Sequence, residues 1–243
     1  MNILTSIHNE RMGFRLKILV TAVVTLMFAA LGLNSCGQEV VNIDSKAVLA
    51  QTSTNMKQLA GFHFVYQLHQ PQSAKKAEGV QKVDADYNSH GELQATVEYL
   101  ASGSLIDIKI VALVSMHYVL YPLSNKWVQL NPADSPLTKL NLAQGPVKIL
   151  DNVTSPSFVG VEKRAGQKTY HLTGSVTKAD IESIVGTVST ADVFVADLWI
   201  GVNDSLLYEV DVAGPMTQDE APGTFRSIVL SNLGVAVDIK APQ

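Results

Sequence analysis

Leu93-Gln-Ala-Thr-Val-Glu-Tyr-Leu-Ala-Ser-Gly-Ser-Leu-Ile-Asp-Ile-Lys-Ile110 decides the fold class. Leu93, Ala95, Val97 and Tyr99 alternate with Gln94, Thr96 and Glu98. Ala101-Ser-Gly-Ser104 supplies a turn, after which Ile106, Ile108 and Ile110 alternate with Asp107 and Lys109. A period of two on both sides of a Gly/Ser turn predicts a β-hairpin with one apolar face and one wet face.

The same rhythm extends outward. Upstream, Phe62, Phe64, Tyr66 and Leu68 oppose His63, Gln67 and His69, and Val83, Ala85 and Tyr87 oppose Lys82, Asp84 and Asp86. Downstream, strands at 117–121 and 126–130 flank a tight turn at Leu123-Ser-Asn. Residues 131–156 break the pattern with Pro132, Pro136, Pro146 and Pro156. Hairpins then follow at 157–163 with 168–176, at 192–201 with 206–213, and at 225–231 with 235–240. Helical pieces are expected at 44–60, behind the Asp44-Ser45 cap, and at 136–143, 146–152 and 178–185. The fold class is α+β: about a dozen strands in an antiparallel meander, with three or four short helices.

Such a sheet offers more apolar face than short helices cover. Either it folds on itself as a sandwich, or it curls and leaves an apolar cavity; the pattern alone leaves both open. Strand parity turns Phe64, Tyr66, Ala95, Val97, Ile108 and Ile110 inward as cavity candidates. Leu140 and Ile149 face them from the helical pieces.

The N-terminus is of another kind. Arg15 and Lys17 precede sixteen apolar or small residues, Ile18 to Leu33, and Leu33-Asn-Ser-Cys36 closes them. A basic region, an apolar core and small residues before a cut site predict a secretory signal peptide over 1–35. The run is short for a transmembrane helix. Cys36 is the chain's one cysteine, and its setting resembles the lipobox of bacterial lipoproteins. The resemblance implies that a diacylglycerol is attached to Cys36 and that 36–43 form a lipidated tether; by its length, 44–243 is expected to form one domain. Met12 with Gly-Phe-Arg-Leu-Lys behind it already makes a complete basic region, so it is a candidate start.

Charge and motifs exclude several functions. Three of the 18 Lys+Arg and one of the 22 Asp+Glu precede Cys36. The remainder carries 15 positive against 21 negative charges, which argues against a nucleic-acid partner. With Cys36 acylated, neither an internal disulfide nor a thiol nucleophile remains. No Gly-x-Ser-x-Gly, His-Glu-x-x-His or Gly-x-x-x-x-Gly-Lys occurs, so no catalytic or metal-ligating set is expected. His63 and His69, like Asp84 and Asp86, read as solvent-facing. Trp127 and Trp199 read as core or sheet-edge anchors. Asn152-Val-Thr and Asn203-Asp-Ser read as chance sequons.

Four stretches together resemble the LppX/LprG family of actinobacterial lipoproteins. They are HYVLYPLSNKWVQLNP at 117–132, GQKTYHLTGSV at 166–176, LWI at 198–200 followed by LLY at 206–208, and SIVLSNLGVAVDIKAP at 227–242. Leu233 departs from the family, which often has Trp at that place. The resemblance implies a half-barrel like that of LolA and LolB, a curved antiparallel sheet with helices in its concave face around an apolar cavity for acyl chains. It implies a non-enzymatic carrier that binds lipid or glycolipid and moves or presents it across the cell envelope. Bound lipid and the Cys36 diacylglycerol would take the place of a cofactor. The protein would be a monomer on the extracytoplasmic face of the bacterial plasma membrane, served by a membrane transporter or another envelope protein. The alternative is an envelope scaffold or sensory lipoprotein that binds proteins and has a filled core. Segment 131–156 is the expected entrance to the cavity.

Overall fold

Alternation becomes a single sheet of eleven antiparallel strands in the computed structural model, which describes residues 43–122, 124–135, 145–185 and 188–243. Cys36, Leu140 and the expected helix at 136–143 lie outside the described residues. Ile43–Gln243 cluster as one compact unit.

The first six strands are β1 (Gly61–His69), β2 (Gly79–Asn88), β3 (Leu93–Ala101), β4 (Ser104–Ala112), β5 (His117–Tyr121) and β6 (Lys126–Leu130). The other five are β7 (Thr154–Arg164), β8 (Gln167–Thr177), β9 (Val193–Gly201), β10 (Leu207–Ala213) and β11 (Phe225–Ser231). Their order across the sheet is β6-β5-β4-β3-β2-β1-β11-β10-β9-β8-β7. Neighbours in sequence are neighbours in space, with one exception. After β6 the chain leaves one edge and resumes at the other as β7, and β11 then comes back to pair with β1 in the middle. That seam sets Phe64 opposite Leu230 and Tyr66 opposite Ile228. The sheet is open, with β6 and β7 as its edges.

The expected strand at 235–240 is absent. Asn232 and Gly234 take left-handed conformations (φ 50° and 84°) and turn the chain after β11. Both edges of β11 are already occupied, by β1 and β10, so no hydrogen-bonding edge remains for a hairpin partner. The chain instead crosses the start of β1, where Gly234 N–H donates to the Gly61 carbonyl (2.9 Å). Gly61 permits this approach. A Cβ there would lie 2.7 Å from the carbonyl oxygens of both Tyr87 and Val235.

Three α-helices are described: α1 (Ser45–Lys57), α2 (Gly145–Asn152) and α3 (Lys178–Val185). A 3-10 turn occupies Pro132–Asp134. Asp44 caps α1 by accepting from the N–H groups of Lys46 and Ala47 at 3.0 and 3.1 Å. The buried stripe of α1 is Ser45, Leu49, Thr52, Ser53 and Met56, not a run of apolar residues. Thr52 is tolerated there because its hydroxyl donates to the Val48 carbonyl (2.9 Å), and Ser53 donates to the Asp151 carboxylate. At the start of α3 the Asp180 carboxylate accepts from both the N–H (3.0 Å) and the hydroxyl (2.6 Å) of Thr177.

Side-chain bonds tie the helices together. Lys57 of α1 pairs with Asp151 of α2 at 2.7 Å, and Asn152 of α2 donates to Asp180 of α3 at 2.7 Å. Leu49, Met56, Val147, Ile149, Leu150 and Ile181 from the helices join the same buried cluster as the alternate residues of the sheet. Among the described residues, the principal helix–strand contacts are with β7 and β8.

Candidate functional site

Register assigns each inward side chain to a row. One row crosses nine strands: Phe158, Leu172, Leu198, Val210, Ile228, Tyr66, Val83, Val97 and Ile108. A second runs Leu230, Phe64, Ala85, Ala95, Ile110, Val119 and Val128. The sequence-derived candidates Phe64, Tyr66, Ala95, Val97, Ile108 and Ile110 therefore share one face. All but Ile108 are buried, and Ile149 of α2 is buried in the same cluster.

The two ends of the face differ. On β8, β9 and β10, Leu172, Leu198 and Val210 are fully buried at 0 % exposure. On β3–β6, Tyr99 is 37 % exposed, Tyr121 44 % and Val128 40 %, although parity places them on the same face; Ile106 and Ile108 are half-buried. This flank also holds His117, which lies opposite Ala112 and Leu130. Its Nδ1 is buried with no hydrogen-bond partner among the described residues, and burial pulls the imidazole below its ordinary pKa.

A pocket of about 440 Å³ opens where the end of α1 and α2 meet the start of β1 and the end of β2. Met56, Leu59, Phe62, Tyr87 and Val147 form its apolar floor, and Lys57, Lys148, Asp151 and Ser89 its rim. Its size falls within the range of small-molecule sites, about 300–1,000 Å³. Burial raises the Asp151 pKa, but hydrogen bonds from Lys57 and Ser53 outweigh it and hold the carboxyl below its ordinary value. None of the described cavity candidates lines this pocket; it sits one row nearer the strand ends, over Phe62 and Tyr87. A second pocket, about 500 Å³, is lined mainly by polar groups, among them Gln67, His69, Gln81, Lys82 and Glu98.

Tyr66 has a polar neighbour that the apolar pattern hid. Arg226 of β11 lies opposite Leu68 on the inward face and forms a buried ion pair with Glu220. Glu220 also accepts from the Met216 N–H (2.8 Å), and Arg226 donates to the Gly214 carbonyl (3.3 Å). Burial pushes the Tyr66 hydroxyl pKa up despite the adjacent guanidinium. The signal available was parity: Arg226 shares its face with Ile228 and Leu230 of the same strand.

The outer face carries a second network that sequence reading missed, because its members are spread over β7–β10. His171 has one ring nitrogen 2.9 Å from Glu162 and the other 3.1 Å from Asp197. Trp199 stacks on His171, donates its indole N–H to Glu162 (3.0 Å) and lies under the Arg164 guanidinium (4.2 Å). Trp199 and His171 together hold the Glu162 carboxyl below its ordinary range. Asp211, directly across from Asp197, is pushed up to about 6 by burial and by Glu209. His63 bonds Asp86 (3.0 Å) and His69 bonds Ser227 (2.8 Å), so both serve the sheet's outer side. Among the described residues, no group of three or more His, Cys, Asp or Glu side chains is placed to hold a metal ion. No described helix is long and apolar enough to cross a membrane.

Comparison with known proteins follows the same division between fold and chemistry. The model of the LppX_LprAFG lipoprotein family matches residues 44–239. No individually curated protein matched the chain in sequence. Among solved structures, LprF from Mycobacterium bovis is similar at 20 % identity, covering 82 % of this chain and 96 % of its own, with a TM-score of 0.62. The Mycobacterium tuberculosis lipoprotein LppX is similar at 16 % identity, covering 81 % and 100 %, with a TM-score of 0.56. At these identities the likeness is one of fold.

Proposed function

The chain belongs to the LppX_LprAFG lipoprotein family, and from that membership we propose that it is a lipid-anchored envelope protein that binds acyl chains and carries or presents them across the cell envelope. The sheet curves as a half-barrel in this reading, and the helices lie in its hollow. The signal peptide over 1–35 is removed, and a diacylglycerol on Cys36 holds the protein at the extracytoplasmic face of the plasma membrane. A transporter or another envelope protein supplies or receives the lipid, and no bond is made or broken.

The inward flank of β3–β6 carries this reading. Tyr99, Ile106, Ile108, Tyr121 and Val128 face the core side of the sheet yet keep part of their apolar surface exposed. A lipid chain laid against them is driven there by exclusion of water. Each buried CH₂ contributes about 0.8 kcal/mol, so a 16-carbon chain gains roughly 10 kcal/mol before the cost of ordering it. Specificity is then loose and follows the volume available rather than directed bonds.

Native mass spectrometry of the full chain, solubilised from its host's membranes in mild detergent, tests the proposal. Wild type should carry a co-purifying lipid mass, and Ile108→Glu should lose it with little change in thermal midpoint. Wild type free of lipid, or an Ile108→Glu protein as loaded as wild type, would overturn it.

A further inference from the structure

We infer that the pocket between α1, α2 and the start of β1 selects amphiphiles with an anionic head, which Lys148 holds above an apolar floor. This rests on the lipid-binding reading and adds to the β3–β6 flank a second site with its own ligand class. Met56, Leu59, Phe62 and Val147 give the tail an apolar surface and offer it no directed bond. The rim has three charges. Lys57 and Asp151 cancel, because they pair at 2.7 Å and the Ser53 hydroxyl also donates to the carboxylate. Lys148 is left. It is exposed on α2 and pairs with no carboxylate among the described residues. The chain as a whole is acidic, with a formal net charge of −4, so a cation without a carboxylate partner among the described residues, at an apolar opening, is a local property. A neutral head leaves Lys148 as hydrated as before. A carboxylate or phosphate head gains a charge-assisted bond while its tail covers the floor.

Photo-crosslinking of the full chain in phosphatidylcholine nanodiscs tests this. Three probes share one diazirine-bearing 18-carbon tail: the fatty acid, the corresponding alcohol, and a lysophosphatidate. Crosslinked peptides are identified by mass spectrometry, and the relevant ones contain Met56, Phe62 or Val147. The acid or the lysophosphatidate should label these peptides about five times more than the alcohol, the advantage expected of one partly exposed ion pair. Whichever of the two labels better identifies the head as carboxylate or phosphate. Lys148→Glu should erase the preference, Lys148→Arg should keep it, and Lys109→Glu on the outer face of β4 should leave it unchanged. Lys148 is exposed, so these variants are expected to fold, and circular dichroism checks that they do. Equal labelling by acid, lysophosphatidate and alcohol in wild type overturns the charge selection and leaves the apolar pocket standing. Absence of label from all three probes at these peptides overturns both the selection and the use of this pocket for lipid.

Discussion

The two wings of the sheet are written in the same alternating code and end in different states. On β8–β10 the inward residues Leu172, Leu198 and Val210 are sealed; on β3–β6 Tyr99, Tyr121 and Val128 are not. Both wings turn mostly apolar side chains inward, with exceptions such as Gly174 on one and His117 on the other, so periodicity is not the main source of the difference. What lies above them differs: the described helices make their principal strand contacts with β7 and β8. Parity therefore decides which way a residue faces, and the placement of α1–α3 decides whether that face becomes core. One wing holds the fold together, and the other is left with apolar surface to offer.

The largest expected effect lies beside the sealed wing. Glu220→Ala strips Arg226 of its buried partner and should cost about 3–5 kcal/mol, because an uncompensated charge is left inside. Urea unfolding would show it as a lowered midpoint with an unchanged slope. A midpoint like that of wild type would mean that water already reaches the guanidinium.

Truncation compares the wings directly. Leu198→Ala should cost about 2–5 kcal/mol, since the cavity it leaves is walled in. Val128→Ala should cost less than about 1 kcal/mol, because Val128 already meets solvent. Equal costs for the two would erase the distinction between wings.

A smaller effect sharpens the picture on the outer face of the sealed wing. The Asp211 carboxyl, at about 6 when folded against 3.8 as its ordinary value, binds its proton more tightly in the native state. Its contribution to stability is therefore present at low pH, and is lost as pH rises from about 4 through 6. Asp211→Asn should remove that slope and stabilise the protein at pH 7.5 by about 1 kcal/mol, discounted because the carboxylate is partly hydrated. The gap between the thermal midpoints of the two proteins should be smaller at pH 5 than at pH 7.5 and close only as pH falls below about 4; a constant gap would point elsewhere than Asp211.

The smallest effect on folding is expected at Cys36. Cys36→Ser should leave the unfolding midpoint unchanged while leaving the protein either uncleaved or released from the membrane. A serine variant that partitions into detergent and migrates as wild type does would remove the acyl anchor from the proposed function.

Much of this was legible from local pattern. The hairpins and their inward residues follow from a period of two, and α3 occupies the expected span 178–185. Where reading stopped, long-range pairing took over. The strand expected at 235–240 has the right alternation and no edge to join, which only the β1–β11 seam reveals. The buried stripe of α1 is not readable from hydropathy, because Thr52 and Ser53 are buried through bonds that hydropathy does not count. The pocket escaped because it is made by α1 and α2 meeting Phe62 and Tyr87, residues distant in sequence from α2. The Glu162–His171–Asp197 network escaped for the same reason, since each member alone looks like an ordinary wet-face residue.

The seam between β1 and β11 also orders events in time. β1 is the first strand to emerge during synthesis and among the last to be completed, because its second neighbour starts at Phe225. Until then it pairs only with β2, and its other edge bears bare N–H and C=O groups, the template on which strands of other chains add. Closing so long a loop is entropically costly and slow compared with forming any of the hairpins. A chain cut short before Phe225 is thus not a slightly smaller version of this fold. It is two separate meanders, β1–β6 and β7–β10, each presenting an unpaired inner edge to whatever strand arrives first.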